Sequence, residues 1–246
     1  MFEAFTFGQS SSWVGPVDET EVPDLAWTEA DGAAAAVAVT ARRSRFDLIR
    51  LTDIAITIVA LFALAPLMLL IWIGIRLTDS GEVLFRHERV GRSGKPFDCL
   101  KFRTMHEDSD HILADHLARN SDAQREWDAT FKLTRDPRVS LLGLILRKTS
   151  LDELPQLFNV LRGDMSLVGP RPVVAEELLQ YGKYTRYYLS VRPGLTGLWQ
   201  VSGRNDTTYR RRIACDVVYV RGQRLASNMV ILLRTVPTVL FGRGAY

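Results

Sequence analysis

The chain has 246 residues, 47% of them hydrophobic, and carries 31 Lys and Arg against 28 Asp and Glu. That length buries a sizeable core as one domain plus an appendage, and the composition lies on the boundary between soluble and membrane proteins. Cys99 and Cys215 have neither metal-ligand spacing nor a disulfide framework, so reduced thiols in the cytoplasm are the default.

The charge is unevenly spread. Residues 1–41 hold seven acids and no Lys or Arg, which leaves a net +10 on residues 42–246. A basic body suits an anionic membrane surface or a polyphosphate ligand. Nucleic acid is the competing partner, but no nucleic-acid-binding motif accompanies the charge, and none is expected. The acidic start, with Ser10, Ser11, Ser12, Pro16 and Pro23, has no sustained period of either kind. Residues 1–44 therefore read as a disordered leader. A secretory signal is excluded because the start lacks a basic region.

Arg42, Arg43, Arg45 and Arg50 precede a run without charges, residues 54–75. As a helix those 22 residues extend about 33 Å, enough to cross a hydrocarbon core. Two features oppose a plain span. Pro66 lies at the centre, where it frees a backbone carbonyl and kinks the helix. Basic residues also flank the far end, at Arg76, Arg86, Arg89, Arg92 and Lys95, so the positive-inside bias assigns both ends to the cytoplasm. A helix that enters and leaves by one leaflet meets both conditions, while a spanning helix stays open.

Residues 83–85 and 97–105 read as strands separated by a turn, and Lys101 and Arg103, two residues apart, then share a face. Residues 107–130 are polar and helical in composition. His106, His111 and His116 stand five residues apart, which puts successive rings about 140° apart on a helix, so they read as a solvated face and not as metal ligands. Residues 141–146 are apolar nearly all round and fit either an interfacial or a buried helix.

Residues 147–172, RKTSLDELPQLFNVLRGDMSLVGPRP, set Asp152 and Glu153 between Arg147 and Lys148 on one side and Arg162 and Arg171 on the other. Carboxylates among cations suit a site that must hold a phosphate and also attack it, since neutralising the anion lets a negative nucleophile approach. Against this, Ser150-x-x-Glu153 is a capping box, with Leu154, Leu157, Phe158 and Leu161 on one helix face behind it. Capping alone leaves Pro155 unexplained, because it would sit inside the second turn. A helix starting at Pro155 leaves both carboxylates just before its N-terminus. Further on, residues 192–204 hold three glycines and Trp199 and read as an ordered loop near the site. Residues 225–241 are apolar and basic at the end, a second candidate for membrane contact.

Residues 147–172, with KFRTM before them and RPGLTGLWQVSGR after them, closely resemble the bacterial sugar transferases known as monotopic phosphoglycosyl transferases. The resemblance runs from about Arg45 to the C-terminus. It implies a compact α/β domain, mostly helical with a small sheet, over residues 79–246. It also implies that residues 45–78 form a re-entrant helix kinked at Pro66, and that interfacial helices seat the domain on the cytoplasmic face of the bacterial inner membrane. Relatives usually carry Ser before the central proline, where Ala65 stands here. By the resemblance Asp152 is the nucleophile toward a UDP-hexose and Glu153 orients or shuttles a proton. Lys101, Arg103, Arg147, Arg171, Arg204 and Asp216 contact phosphate or substrate. Mg²⁺, or Mn²⁺, bridges phosphate oxygens with Asp152, and polyprenyl phosphate accepts the sugar phosphate. Asp216-x-x-Tyr219 matches the family pattern, but Arg221-Gly222 and Asn228 depart from it, so no acid role is carried over to position 228. Galactose is the expected sugar, with glucose differing at one hydroxyl. A homo-oligomer is compatible with all of this. A non-catalytic membrane scaffold and a CDP-alcohol type phosphotransferase are the other classes, the latter lacking its spaced aspartates here.

Overall fold

A computed structural model describes residues 31–78, 80–130, 133–202 and 208–240, with side chains described from Leu48 onward. Residues 1–30 of the expected leader, and Arg204, lie outside the described residues.

The first element, α1 (Asp31–Thr78), is a 48-residue helix that has already begun within residues 31–44 and stays helical on both sides of Pro66. From Leu48 to Thr78 it is long and apolar enough to cross a membrane. Most of its apolar surface is open: Leu51, Val59, Phe62, Leu70 and Leu77 are all more than half exposed. One narrow stripe is not. Ile49, Asp53, Thr57, Ala60, Leu64, Met68, Ile71 and Ile75 recur every three or four residues and face the rest of the protein. The stripe covers about 39 Å of helix, so both halves of α1 touch the same domain.

Behind α1, β1 (Leu84–Val90) and β2 (Pro96–Phe102) form an antiparallel hairpin with Phe85 opposite Lys101. The polar excursion that follows folds as α2 (Ser109–Arg119) and α3 (Ser121–Thr130). Next come α4 (Leu141–Thr149), α5 (Gln156–Arg162) and the three-residue strand β3 (Ser166–Val168). After α6 (Ala175–Leu179) and α7 (Thr185–Ser190), β4 (Gly194–Thr196) pairs in parallel with β3. Glycine is required here because the strands approach so closely that a Cβ on Gly194 would collide with the Gly169 backbone. The chain ends in α8 (Leu198–Ser202), α9 (Tyr209–Arg221) and α10 (Leu225–Leu240).

The main core gathers Leu157, Val160, Met165, Val168, Trp199, Tyr219 and Ile231, with Ile56, Leu61 and Leu64 of α1 packed against it. A second cluster joins Ile71 and Ile75 to Val83, Phe102 and Leu146. Among the described residues the fold is thus mostly helical, as the resemblance implied, with two small two-stranded sheets where one small sheet was expected. Three helices keep open apolar faces: α1, α4 through Leu141, Leu144 and Ile145, and α10 through Leu233 and Val236.

The α5 face differs from the sequence reading. Leu157 is buried with Val160, Gln156 and Asn159, while Phe158 is 40% exposed. The reason is Asn159. Its Oδ1 accepts from Leu100 N at 3.0 Å and its Nδ2 donates to Asp98 O at 2.7 Å, so one side chain pairs with β2 as a third strand would. Satisfying those two backbone groups turns α5 so that Asn159 faces the hairpin.

Candidate active site

Arg147 is positioned from two directions. Ser140 Oγ accepts from Gly143 N at 2.9 Å and caps α4. At Gly143 the helix crosses the Thr104 backbone, where a Cβ would collide with the Thr104 carbonyl. That contact lets Arg147 Nε donate to Thr104 Oγ1 at 2.9 Å. The chain then leaves α4 through Ser150 in the left-handed region, φ 57°, which non-glycine residues seldom adopt. The alternative reading, a capping box, does not form: Ser150 makes no side-chain cap bond, and the Glu153 side chain is used elsewhere. A single 3-10 turn, Leu151–Glu153, carries both carboxylates, and Pro155 is the residue before α5.

Lys101 of β2 is the partner. Its Nζ donates to Glu153 Oε1 at 2.7 Å and lies 4.0 Å from Asp152 Oδ2. Burial would raise the Glu153 carboxyl, but Lys101, Arg171 and the Gln156 side chain outweigh it and hold Glu153 below its ordinary value. Asp152 goes the other way. Burial dominates there and pushes it from 3.8 to about 6, with Lys101 and Arg147 pulling down and Glu153 pushing up. Two adjacent carboxylates thus diverge, one a fixed anion and one a more basic group still ionised roughly ten to one at pH 7.

One open cleft is lined by Lys101, Arg147, Asp152, Glu153 and Arg171, and by Arg103 and Asp216 at other parts of its wall. The guanidinium of Arg103 and the carboxylate of Glu107 both lie against Gly81. Asp216 on α9 is buried, accepts from Tyr181 O–H at 2.7 Å and is pushed up to about 7 by burial. Sequence reasoning passed over Thr104, Gln156 and Asn159, which hold Arg147, Glu153 and β2 in place. An asparagine at an apolar helix position was the available signal for the last.

Among the described residues no three or more His, Cys, Asp or Glu side chains gather into a metal-binding group. The Asp152–Glu153 pair still fits Mg²⁺, which takes one or two protein carboxylates and completes its shell with water and substrate phosphate oxygens.

The profile of a family described as bacterial sugar transferase matches residues 44–242. The exopolysaccharide production protein ExoY of Sinorhizobium fredii is 50% identical over 194 residues, covering 79% of this chain and 86% of that protein. The undecaprenyl-phosphate galactose phosphotransferase of Salmonella typhimurium is 49% identical over 206 residues, 84% of this chain and 43% of that longer protein. The UDP-glucose:undecaprenyl-phosphate glucose-1-phosphate transferase of Caulobacter vibrioides is 41% identical over 241 residues, 94% of this chain and 82% of that protein.

Proposed function

Since the chain belongs to the bacterial sugar transferase family, we propose that it moves hexose 1-phosphate from a UDP-hexose to polyprenyl (undecaprenyl) phosphate, releasing UMP, as the first membrane step of exopolysaccharide biosynthesis. Asp152 carries the reading, as a desolvated carboxylate beside the Lys101–Glu153 pair in a cation-lined cleft. Its Oδ attacks the β-phosphorus of the UDP-hexose, a phosphorus–oxygen bond to the carboxylate forms, and the bond to UMP breaks. A phosphate oxygen of the polyprenyl phosphate then attacks the same phosphorus, which frees the Asp152 carboxylate and yields the diphosphate-linked sugar. Lys101, Arg147 and Arg171 hold the phosphate oxygens in both steps, and Arg103 and Arg204 are assigned to further substrate contact. Glu153 keeps Lys101 oriented. Mg²⁺ held by Asp152 or Glu153 supplies charge neutralisation at the phosphates.

Two features of α1 support the proposed topology. Basic residues flank both ends of its apolar run, and its buried stripe meets the domain in both halves. A straight span would put the two basic ends on opposite sides of the bilayer, against the positive-inside bias. We place both ends, and residues 79–246, at the cytoplasmic face of the inner membrane, with re-entry at Pro66 and the open faces of α4 and α10 in the interface.

The donor is UDP-galactose, in line with the galactose phosphotransferase among the relatives. The test is release of the nucleoside monophosphate, UMP or GMP, by the purified full-length protein with undecaprenyl phosphate and a panel of UDP- and GDP-sugars. Release from UDP-galactose and not from UDP-glucose supports the assignment, and equal release removes the preference for galactose. Release from a GDP-sugar alone overturns the nucleotide assignment, and Asp152→Asn with wild-type turnover overturns the covalent step.

A further inference from the structure

Four buried side-chain atoms lack a hydrogen-bond partner among the described residues: Thr57 Oγ1, Gln200 Oε1, Arg212 Nε and Asp216 Oδ1. The last three belong to residues that line the cleft holding Asp152. Leaving a buried polar atom unpaired destabilises the fold, so three such atoms on residues that line one cleft are out of keeping with a surface that serves only packing.

Two of them stand one turn apart on α9. Asp216 is 3% exposed, and its other oxygen is taken by Tyr181 O–H. The guanidinium of Arg212 lies 4.6 Å from the Trp199 ring centroid, which fixes its plane and leaves Nε as a directed donor. With its carboxyl ionised, as it is above its raised value of about 7, Asp216 offers an acceptor to the cleft, Gln200 a second and Arg212 a donor. A phosphate, which only accepts at neutral pH, cannot satisfy the two acceptors. The uracil edge of UDP has a single N–H donor and can satisfy one. A vicinal diol has two O–H donors and two accepting oxygens, and it alone among the parts of a nucleotide sugar can answer all three.

We propose that Asp216, Arg212 and Gln200 form a diol subsite that holds hydroxyls of the donor substrate, separate in chemistry from the phosphate-binding cations around Asp152. The subsite rests on the proposed transfer from UDP-hexose and adds to it the group that reads hydroxyls. Both the hexose and the ribose of UDP carry such a diol, and the experiment separates them.

The full-length protein is assayed for kcat/KM with UDP-galactose, with its monodeoxy hexose analogues, with the 2′- and 3′-deoxyribose analogues and with N3-methyl-UDP-galactose. The wild type is compared with Asp216→Leu/Tyr181→Phe, which removes both partners of the buried bond, and with Arg212→Met. The wild type should lose about 10–100-fold when the held hydroxyl is missing. The variants should lose a similar factor with the parent substrate and nothing more with that one analogue, since the shared contact is already gone. Coupling to a hexose position assigns the sugar, and coupling to a ribose position assigns the nucleoside. Additive losses at every position overturn the subsite, as does coupling confined to the N3-methyl analogue. Should the double variant fail to fold, Arg212→Met, at a half-buried position, decides the matter by the same comparison. UMP release by the wild type from the parent substrate is the control. Its failure would strike the proposed transfer and not the subsite alone.

Discussion

Replacing Asp152 by asparagine should inactivate the protein and stabilise it. The folded chain holds the Asp152 carboxyl at about 6 against an ordinary 3.8, mainly because of burial. For a group raised in this way the sign is fixed. Below about pH 3.8 both states are protonated and the site is neutral toward folding. Between 3.8 and 6 the unfolded chain releases its proton first, so stability falls as pH rises, and above 6 the full difference persists. That difference corresponds to about 3 kcal/mol. An amide of the same shape carries no charge to desolvate, and Lys101 keeps its 2.7 Å bond to Glu153. The gain should therefore approach about 3 kcal/mol above pH 6, or on the order of 6–12 °C in the unfolding midpoint for a domain of this size. Thermal denaturation of the detergent-solubilised wild type and Asp152→Asn from pH 4.5 to 8 reads it directly. The two midpoints should converge toward the acid end and separate toward the alkaline end. A gap that is constant with pH, or an asparagine variant less stable at pH 8, would refute the idea that the active site stores strain as a desolvated anion.

Lys101→Met should lower kcat by about 10²-fold or more through loss of phosphate contact, and the acid limb of the pH–rate profile should move upward from about 6, because Lys101 lowers the Asp152 carboxyl. An unmoved limb would mean that the ammonium does not act on Asp152. Asn159→Ala should cost about 2–4 kcal/mol by orphaning Leu100 N and Asp98 O, with kcat reduced as β2 loosens; chemical denaturation and UMP release check both. For topology, Arg45→Cys and Ser80→Cys should both react with an impermeant thiol reagent from the cytoplasmic side only, the native Cys99 and Cys215 being buried. Labelling from opposite sides would mean that α1 spans.

The long apolar helix and the position of the carboxylate pair just before α5 were legible because their signals are local. A charge-free run of helical length needs no tertiary information, and Pro155 after Asp152-Glu153 located the start of α5. The capping box weighed against the site at Ser150 and Glu153 does not form for a physical reason: it is a local preference, and the approach of α4 to Thr104 with the Lys101–Glu153 pair outweighs it. Asn159 and Asp53 were hidden because their partners are distant in the chain. Asp53, one residue before the uncharged run, reads as a flanking charge. In the fold its carboxylate accepts from Ser166 Oγ at 2.6 Å and Leu167 N at 3.3 Å. No pattern along the sequence reports a bond of that kind.

The stripe on α1 bears on the order in which the protein is made. Arg50 donates to Val160 O and Leu161 O, and Asp53 holds Ser166 and Leu167, across separations of 110 to 114 residues. The helix leaves the ribosome first, and its seat exists only after more than a hundred further residues have been synthesised. Contacts this distant form late, because the intervening chain must be ordered before they repay the closure entropy. Until then the bilayer is the environment that can hold the apolar surface of α1 apart from other nascent chains. On the proposed topology insertion precedes the folding of the domain and the helix docks as the closing step of maturation, which would make the lipid surface a folding partner as well as the place of work.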